Sequence, residues 1–171
     1  HGNVRTGFSI YATGDVEIDG VVEAANITAG GKIIIRRGIQ GMTKGNLKAR
    51  GNILCRFIES AVVMSGASIE ADAIMHSNVS AREEIHVAGK KGLIVGGYVR
   101  AGRLIESMTI GSSMGSATSL EVGSDPQLQE RIKVLEEKSK KYAAEEKRIR
   151  QIIEAMKAKK AMGKLTPDRM A

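Results

Sequence analysis

Three side chains in this sequence have the chemistry for nucleophilic or metal-assisted catalysis: Cys55, His76 and His86. A catalytic thiol needs a base within hydrogen-bonding reach, and nothing in the sequence pattern brings His76 to Cys55. A metal site needs further ligands at short spacing, and neither histidine has cysteine or carboxylate partners at ligand spacing. We therefore predict no catalytic and no metal-binding residue. Cys55 is expected to be a small buried side chain, and both histidines are expected on the surface.

Two glycine-rich stretches, residues 38–41 and 96–97, have the composition of loops that cradle phosphate groups. Neither is followed by a Lys-Ser or Lys-Thr pair, or by a helix, as a nucleotide-binding loop requires. We interpret both stretches as tight corners. The sequence predicts no cofactor and no small-molecule substrate.

A basic run near the C-terminus could attract phosphate groups instead. Its candidate polyanion contacts are Lys157, Lys159, Lys160 and Lys164. Along most of the preceding segment, however, lysine and arginine alternate with glutamate, as they do on the solvated face of a coiled coil. Nucleic acid and membranes are therefore not the partners we expect, and polyanion binding is an alternative.

The composition bounds the class of protein. The formal net charge is +7, and it is uneven: residues 1–125 have 13 basic and 12 acidic side chains, whereas residues 126–171 have 13 and 7. Only 3% of residues are aromatic, which disfavours single-strand nucleic-acid readers, because these need stacking rings. One cysteine and no apolar run of transmembrane length favour a cytoplasmic protein. The chain starts in mid-pattern without Met, so we expect a fragment whose N-terminal region is absent.

The elements that must position these residues are copies of one nine-residue phrase. In each copy an aliphatic residue is followed two positions later by Ala or Ser, and six positions later by Val or Ile. The copies start 16 to 20 residues apart, a spacing typical of the stacked coils of a β-solenoid. They occupy residues 10–18, 27–35, 47–55, 63–71, 79–87 and 99–107.

Apolar and polar residues alternate within each copy, which indicates half-buried strands. Glycines lie between the strands, where we expect turns: Gly14, Gly31, Gly51 and Gly66. A further aliphatic residue recurs later in most units and predicts a third inward row: Val21 or Val22, Ile39, Ile58, Ile74 and Ile110. The predicted fold class is mainly β, with a β-solenoid over residues 1–124.

A long helix is predicted over residues 125–162. Asp125 and Pro126 give the N-cap and first-turn signals, and Gly163 gives a C-cap signal. Apolar residues recur in a coiled-coil pattern with a polar middle. This candidate interaction seam comprises Leu128, Ile132, Leu135, Tyr142, Ile149, Ile153 and Met156. Thr166 and Pro167 repeat the start signal, so residues 163–171 are expected to form a turn and the beginning of a truncated second helix.

Several sequence blocks, in order, resemble the flagellar assembly protein A family of bacterial β-solenoid domains. They are residues 14–23, 38–41, 58–61, 92–97, 110–112 and 121–126, and together they extend over nearly the whole chain. The resemblance implies a right-handed parallel β-helix followed by a long helical hairpin. It also implies distant similarity to bactofilins and to the C-terminal domain of the division inhibitor MinC.

What the family resemblance implies for function is a non-enzymatic scaffold of the bacterial cytoplasm, with the cell pole as one location that it suggests. Its role would be in flagellar assembly or cell-pole organisation. The partners would be proteins or further copies of this chain, joined through the helical arm or by stacking of solenoid ends. The family brings no catalytic motif to any residue.

One enzymatic alternative is a left-handed, hexapeptide-type acyltransferase. Ile27, Ile33 and Ile39 are spaced by six residues, as in that class, but Glu59 breaks the register. Such enzymes also need a catalytic histidine in a cleft between coils, and neither histidine has that sequence context.

Overall fold

The computed structural model describes residues 2–90, 92–123 and 126–161, and the helix side chains over residues 132–157. The strands are β1 (Ser9–Ala12), β2 (Val16–Ile18), β3 (Val21–Glu23), β4 (Asn26–Ala29), β5 (Ile33–Ala49), β6 (Ile53–Ser65), β7 (Ile69–Ala71), β8 (Ala73–Ala81), β9 (Glu84–Val87), β10 (Leu93–Ala101), β11 (Leu104–Ser107), β12 (Thr109–Ile110) and β13 (Thr118–Val122). One helix, α1, extends over Pro126–Ala161. The chain divides into two compact units, residues 1–129 and 130–171.

The strands stack into a parallel β-solenoid of about seven turns, as the repeat spacing predicts. Every strand pairing is parallel, and each joins one coil to the next. Three ladders result. The first contains β2, β7, β9, β11 and the starts of β5 and β6. The second contains β3 and β12, and the third contains β1, β4 and β13; both continue through β5, β6, β8 and β10.

The interior consists of stacked aliphatic rows. Because side chains alternate across a strand, the residues at every second position point inward and meet the same position of the next coil. In the second ladder the inward row is Val22, Ile39, Ile58, Ile74 and Ile94, each fully buried. The sequence pattern predicted the first four of these residues and missed Ile94. In the third ladder Ala29, Ala49, Ala81 and Ala101 form a narrow row that aligns with Ser65.

At Gly66 the close stacking of coils, and not a turn, requires glycine. None of Gly14, Gly31, Gly51 and Gly66 has a positive φ. A Cβ added at Gly66 would instead collide with the carbonyl oxygen of Arg50 in the preceding coil. The constraint therefore arises from the spacing of the backbones of neighbouring coils.

A column of left-handed residues forms the corner between the second and third ladders. Ala24 (φ 39°), Ser60 (φ 48°), His76 (φ 47°) and Gly96 (φ 70°) occupy it in successive coils. The coil of β5 differs, because four residues, 41–44, replace the single corner residue found in β6. This corner bends the chain outward without changing the order of the inward rows.

The last described coil leaves its inward rows uncovered on one side. Ile110 pairs with Ile94 and Leu120 pairs with Val99 in the ladders. Ile94 and Val99 are fully buried, whereas Ile110 is 54% and Leu120 36% exposed. The predicted inward position of Ile110 is right in register, but no coil among the described residues stacks upon it.

Candidate interaction surfaces

Cys55 lies in the interior, where the sequence pattern placed it. It pairs with Ile35 of the preceding coil and is only 8% exposed. Burial, reinforced by the negative charge of Asp72, raises the pKa of the thiol to about 12. A thiol that stays protonated at neutral pH is a poor nucleophile. Cys55 therefore contributes packing volume.

His86 lies on the outer face of the first ladder and bridges two coils. Its Nδ1 is 2.9 Å from Glu106 Oε2 in the following coil, and its Nε2 is 3.0 Å from Glu84 Oε2 in its own strand. These hydrogen bonds, that to Glu106 first, raise the pKa of the imidazole. Glu106 is 20 residues from His86 in the sequence and reaches it only through the stacking of β11 on β9.

His76 is exposed at the left-handed corner, as a surface histidine is expected to be. Its ring packs over Gly96 of the next coil, where an added Cβ would lie 2.5 Å from His76 Nδ1. Among the described residues, no cluster of three or more histidine, cysteine or acidic side chains could hold a metal ion.

Charged side chains tie neighbouring coils together on the outer faces. Arg36 binds Glu17 at 2.5 Å and Asp19 at 2.9 Å, both in the preceding coil. The Asp19 hydrogen bond and the nearby charge of Glu17 raise the pKa of this guanidinium. In the third ladder, Arg100 pairs with Glu121 at 3.1 Å. These contacts join residues about one coil apart, so they depend on the register of stacking.

An aromatic residue, Tyr98, reinforces the ion pair between Arg100 and Glu121. The Tyr98 hydroxyl donates a hydrogen bond to Glu121 and accepts one from Arg100 Nη2 at 2.9 Å. The Arg100 guanidinium also lies over the Tyr98 ring, 4.9 Å from its centroid, within the range of a cation–π contact. The cluster connects β10 to β13 and holds the last coil in place.

The apolar face predicted for the helix is exposed wherever the structure describes its side chains. The exposed fraction runs from 46% at Ile132 and Ile153 to 68% at Tyr142, with Leu135, Ile149 and Met156 between them. The Leu128 side chain lies outside the described side chains, and residues 163–171 lie outside the described residues. Along this helix Arg150 pairs with Glu146 at 2.8 Å, four positions earlier.

The candidate polyanion contacts are only partly within the described structure. Lys157 is exposed. Lys159 and Lys160 belong to α1, but their side chains are outside the described set, and Lys164 lies beyond the described residues. Among these four lysines, only Lys157 has a described side chain, so the other three stay predictions from the sequence.

Comparison with known proteins identifies the family of this chain, over both its strands and its helix. Within the described part of the chain, no helix is long and apolar enough to span a membrane. No curated protein and no solved structure matches this chain. A family model described as the Flagellar Assembly Protein A beta solenoid domain matches residues 1–171. The chain therefore belongs to the flagellar assembly protein A β-solenoid family.

Proposed function

We propose that this chain is a non-enzymatic scaffold that acts in flagellar assembly through protein–protein contacts. The observation that carries the proposal is the separation between the inside and the outside of the solenoid. The inward rows hold almost only aliphatic side chains, so the chemically varied residues lie on the outer faces. A rigid stack with regularly spaced outer residues is suited to holding partner proteins in fixed positions.

The family membership supports the flagellar part of this proposal. Placement at the cell pole and self-association are finer versions of the same hypothesis. The exposed seam of α1 supports a partner helix, since an amphipathic helix gains most of its stability when its apolar face is buried. The exposed rows of the last coil support stacking of solenoid ends, because an unpaired strand edge is a site for pairing.

The test is deletion of the coding segment from the chromosome of a flagellated host that carries it. We expect fewer assembled flagella and reduced spreading in soft agar, with both restored by the full chain. A fluorescent fusion would then report whether the protein is polar or diffuse. Normal flagella and normal motility after deletion would contradict the assembly role.

The alternatives have weaker support. No contact of the described residues favours an acyltransferase, since His86 is held by two carboxylates and His76 lies at an exposed corner. Polyanion binding by the basic run would show as affinity for a phosphate-backbone ligand that falls steeply with salt. Calorimetry with acetyl-CoA and with a DNA duplex distinguishes these alternatives from the scaffold.

A further inference from the structure

A groove of about 320 Å³ crosses the outer face of the first ladder. Its lining includes Ile34 and Leu54, two half-buried aliphatic side chains in adjacent coils. The other members of the same outward row are charged or titratable: Glu17, Glu70, His86 and Glu106. The groove therefore has an aliphatic floor on an otherwise polar face.

The arginines beside this floor differ in how firmly they are held. Arg36 makes two short ion pairs with the preceding coil. Arg56, which also lines the groove, is 72% exposed, and within the described part of the chain its one ion pair is with Asp72, at 3.5 Å. An exposed ion pair of this kind contributes little stability, so Arg56 can exchange Asp72 for another carboxylate.

Arg37 lies next to Arg36 but is not among the residues that line the groove. It lies where the register between β5 and β6 shifts, at the corner that follows the first ladder. Its side chain is exposed, and among the described residues it has no acidic partner within ion-pair distance. The acidic lining residues, Glu70 and Asp72, belong to a later coil. The end of the groove near β5 and β6 is thus the cationic end.

We propose that this groove, the Ile34–Leu54 groove, binds an extended segment of a partner protein in which an aliphatic side chain and a carboxylate lie two positions apart, so that both face the groove. The aliphatic side chain would cover Ile34 and Leu54. The carboxylate would bind Arg56. The proposal rests on the scaffold function and gives one of its contacts a defined chemistry. A basic segment could not pair with Arg56, so the groove distinguishes partners by whether a carboxylate meets this arginine.

The experiment uses the whole chain, isotopically labelled for NMR, and three blocked octapeptides. One, the Asp-Leu peptide, has Leu and Asp in turn at every second position with Ser between them, which puts both on one face of an extended chain. The second, the Lys-Leu peptide, has Lys in place of Asp, and the third, the Asp-Ser peptide, has Ser in place of Leu. We expect the Asp-Leu peptide to bind and to shift the signals of Leu54 and Arg56. The Lys-Leu and Asp-Ser peptides should bind about fivefold or more weakly, since each lacks one of the two interactions.

Charge reversal locates the binding site. Arg56→Glu should weaken binding of the Asp-Leu peptide about fivefold and strengthen binding of the Lys-Leu peptide. Lys48→Glu is the matched control, because Lys48 is an exposed base in the third ladder and the change in net charge is identical. Circular dichroism before and after heating checks that each variant folds.

Three outcomes would overturn the groove proposal. They are absence of binding by the Asp-Leu peptide, equal binding of all three peptides, or equal weakening by Arg56→Glu and Lys48→Glu. None of these outcomes bears on flagellar assembly in the deletion strain. The peptide experiment can therefore refute the groove proposal without refuting the scaffold function, and the deletion strain tests the scaffold function by itself.

Discussion

The interior of the solenoid and the apolar face of α1 use similar side chains in opposite environments. Ile58 and Ile74 are fully buried between coils, whereas Ile149 and Ile153 on the helix are 51% and 46% exposed. Burial of an isoleucine side chain contributes about 1.5–3 kcal/mol. The solenoid obtains this contribution from its own next coil, and the helix face lacks it within the described structure. A repeat therefore buries its apolar side chains against its own next copy, whereas a single helix needs a partner to bury its apolar face.

The same contrast extends to charged residues. On the solenoid, Arg36 and His86 bind carboxylates in neighbouring coils. On the helix, Arg150 binds Glu146, a neighbour four positions away in sequence. Local ion pairs of the helical kind add only about 0.3–0.5 kcal/mol each. The solenoid contacts hold coils together, whereas the helical contact stabilises one turn.

The largest expected effect comes from a cavity inside the solenoid. Ile74→Ala should lower the free energy of unfolding by about 2–5 kcal/mol, because the coils on both sides prevent collapse. Ile110→Ala is the matched control, since Ile110 belongs to the same ladder but is 54% exposed; its effect should be below about 1 kcal/mol. Urea unfolding followed by circular dichroism measures both. Equal losses would show that the row is not enclosed at Ile74.

A smaller loss of stability is expected where the backbones of two neighbouring coils approach closely. The helix face has no such backbone contact within the described structure. Gly66→Ala should lower the free energy of unfolding by about 1–3 kcal/mol, since the new methyl group meets the Arg50 carbonyl oxygen. Gly14→Ala should change it by less than about 0.5 kcal/mol, because no atom lies within 4 Å of the added Cβ. Thermal unfolding ranks the two variants. If Gly14→Ala were the more damaging, stacking distance would not explain these glycines.

The exposed helix face should matter for association and not for solenoid stability. Replacing Leu135 and Ile149 together by alanine should change the free energy of unfolding of the solenoid, measured with urea, by less than about 0.5 kcal/mol. Because both residues belong to the predicted seam, the same change should reduce self-association in sedimentation experiments. Alanine at Lys140 and Lys147, two exposed lysines of the same helix outside the seam, is the control. A wild-type chain that remains monomeric at all concentrations would contradict a seam between copies.

The smallest expected effect is a pH dependence at His86. Its pKa is raised in the folded state, so its contribution is fully present below the unfolded value of about 6.5 and is lost as the pH rises through the folded value. The difference in urea midpoint between wild type and His86→Gln should be larger at pH 5.5 than at pH 8.5. Glu106→Gln should reduce that pH dependence while the imidazole remains. A difference in urea midpoint that does not change with pH would refute a stabilising contact between charged His86 and its carboxylates.

The fold class was predictable from the sequence because the repeat is local information. Alternation within each nine-residue phrase predicts strands, and the recurrence of the phrase predicts parallel stacking. Ile94 was missed because coils of unequal length displaced it from the expected interval. The family resemblance, based on ordered blocks over most of the chain, is confirmed by the match over residues 1–171.

The outer surface was less predictable, because it depends on register between coils. Glu106 follows His86 by 20 residues, and only the pairing of β11 with β9 brings the two side chains within 2.9 Å. Likewise, Ile34 and Leu54 form one aliphatic floor because β5 and β6 align them. A sequence read in one dimension gives the types of these residues but not their neighbours.

The sequence by itself determined the inward rows, the helical pattern of α1 and the burial of Cys55, since each follows from short-range periodicity and side-chain polarity. Only the tertiary structure decided which charges meet, why Gly66 must lack a side chain and which apolar residues of the last coil stay exposed. The physical reason is that coil lengths vary from about 16 to 20 residues. Side chains from different coils therefore meet through backbone pairing, which no fixed interval in the sequence encodes.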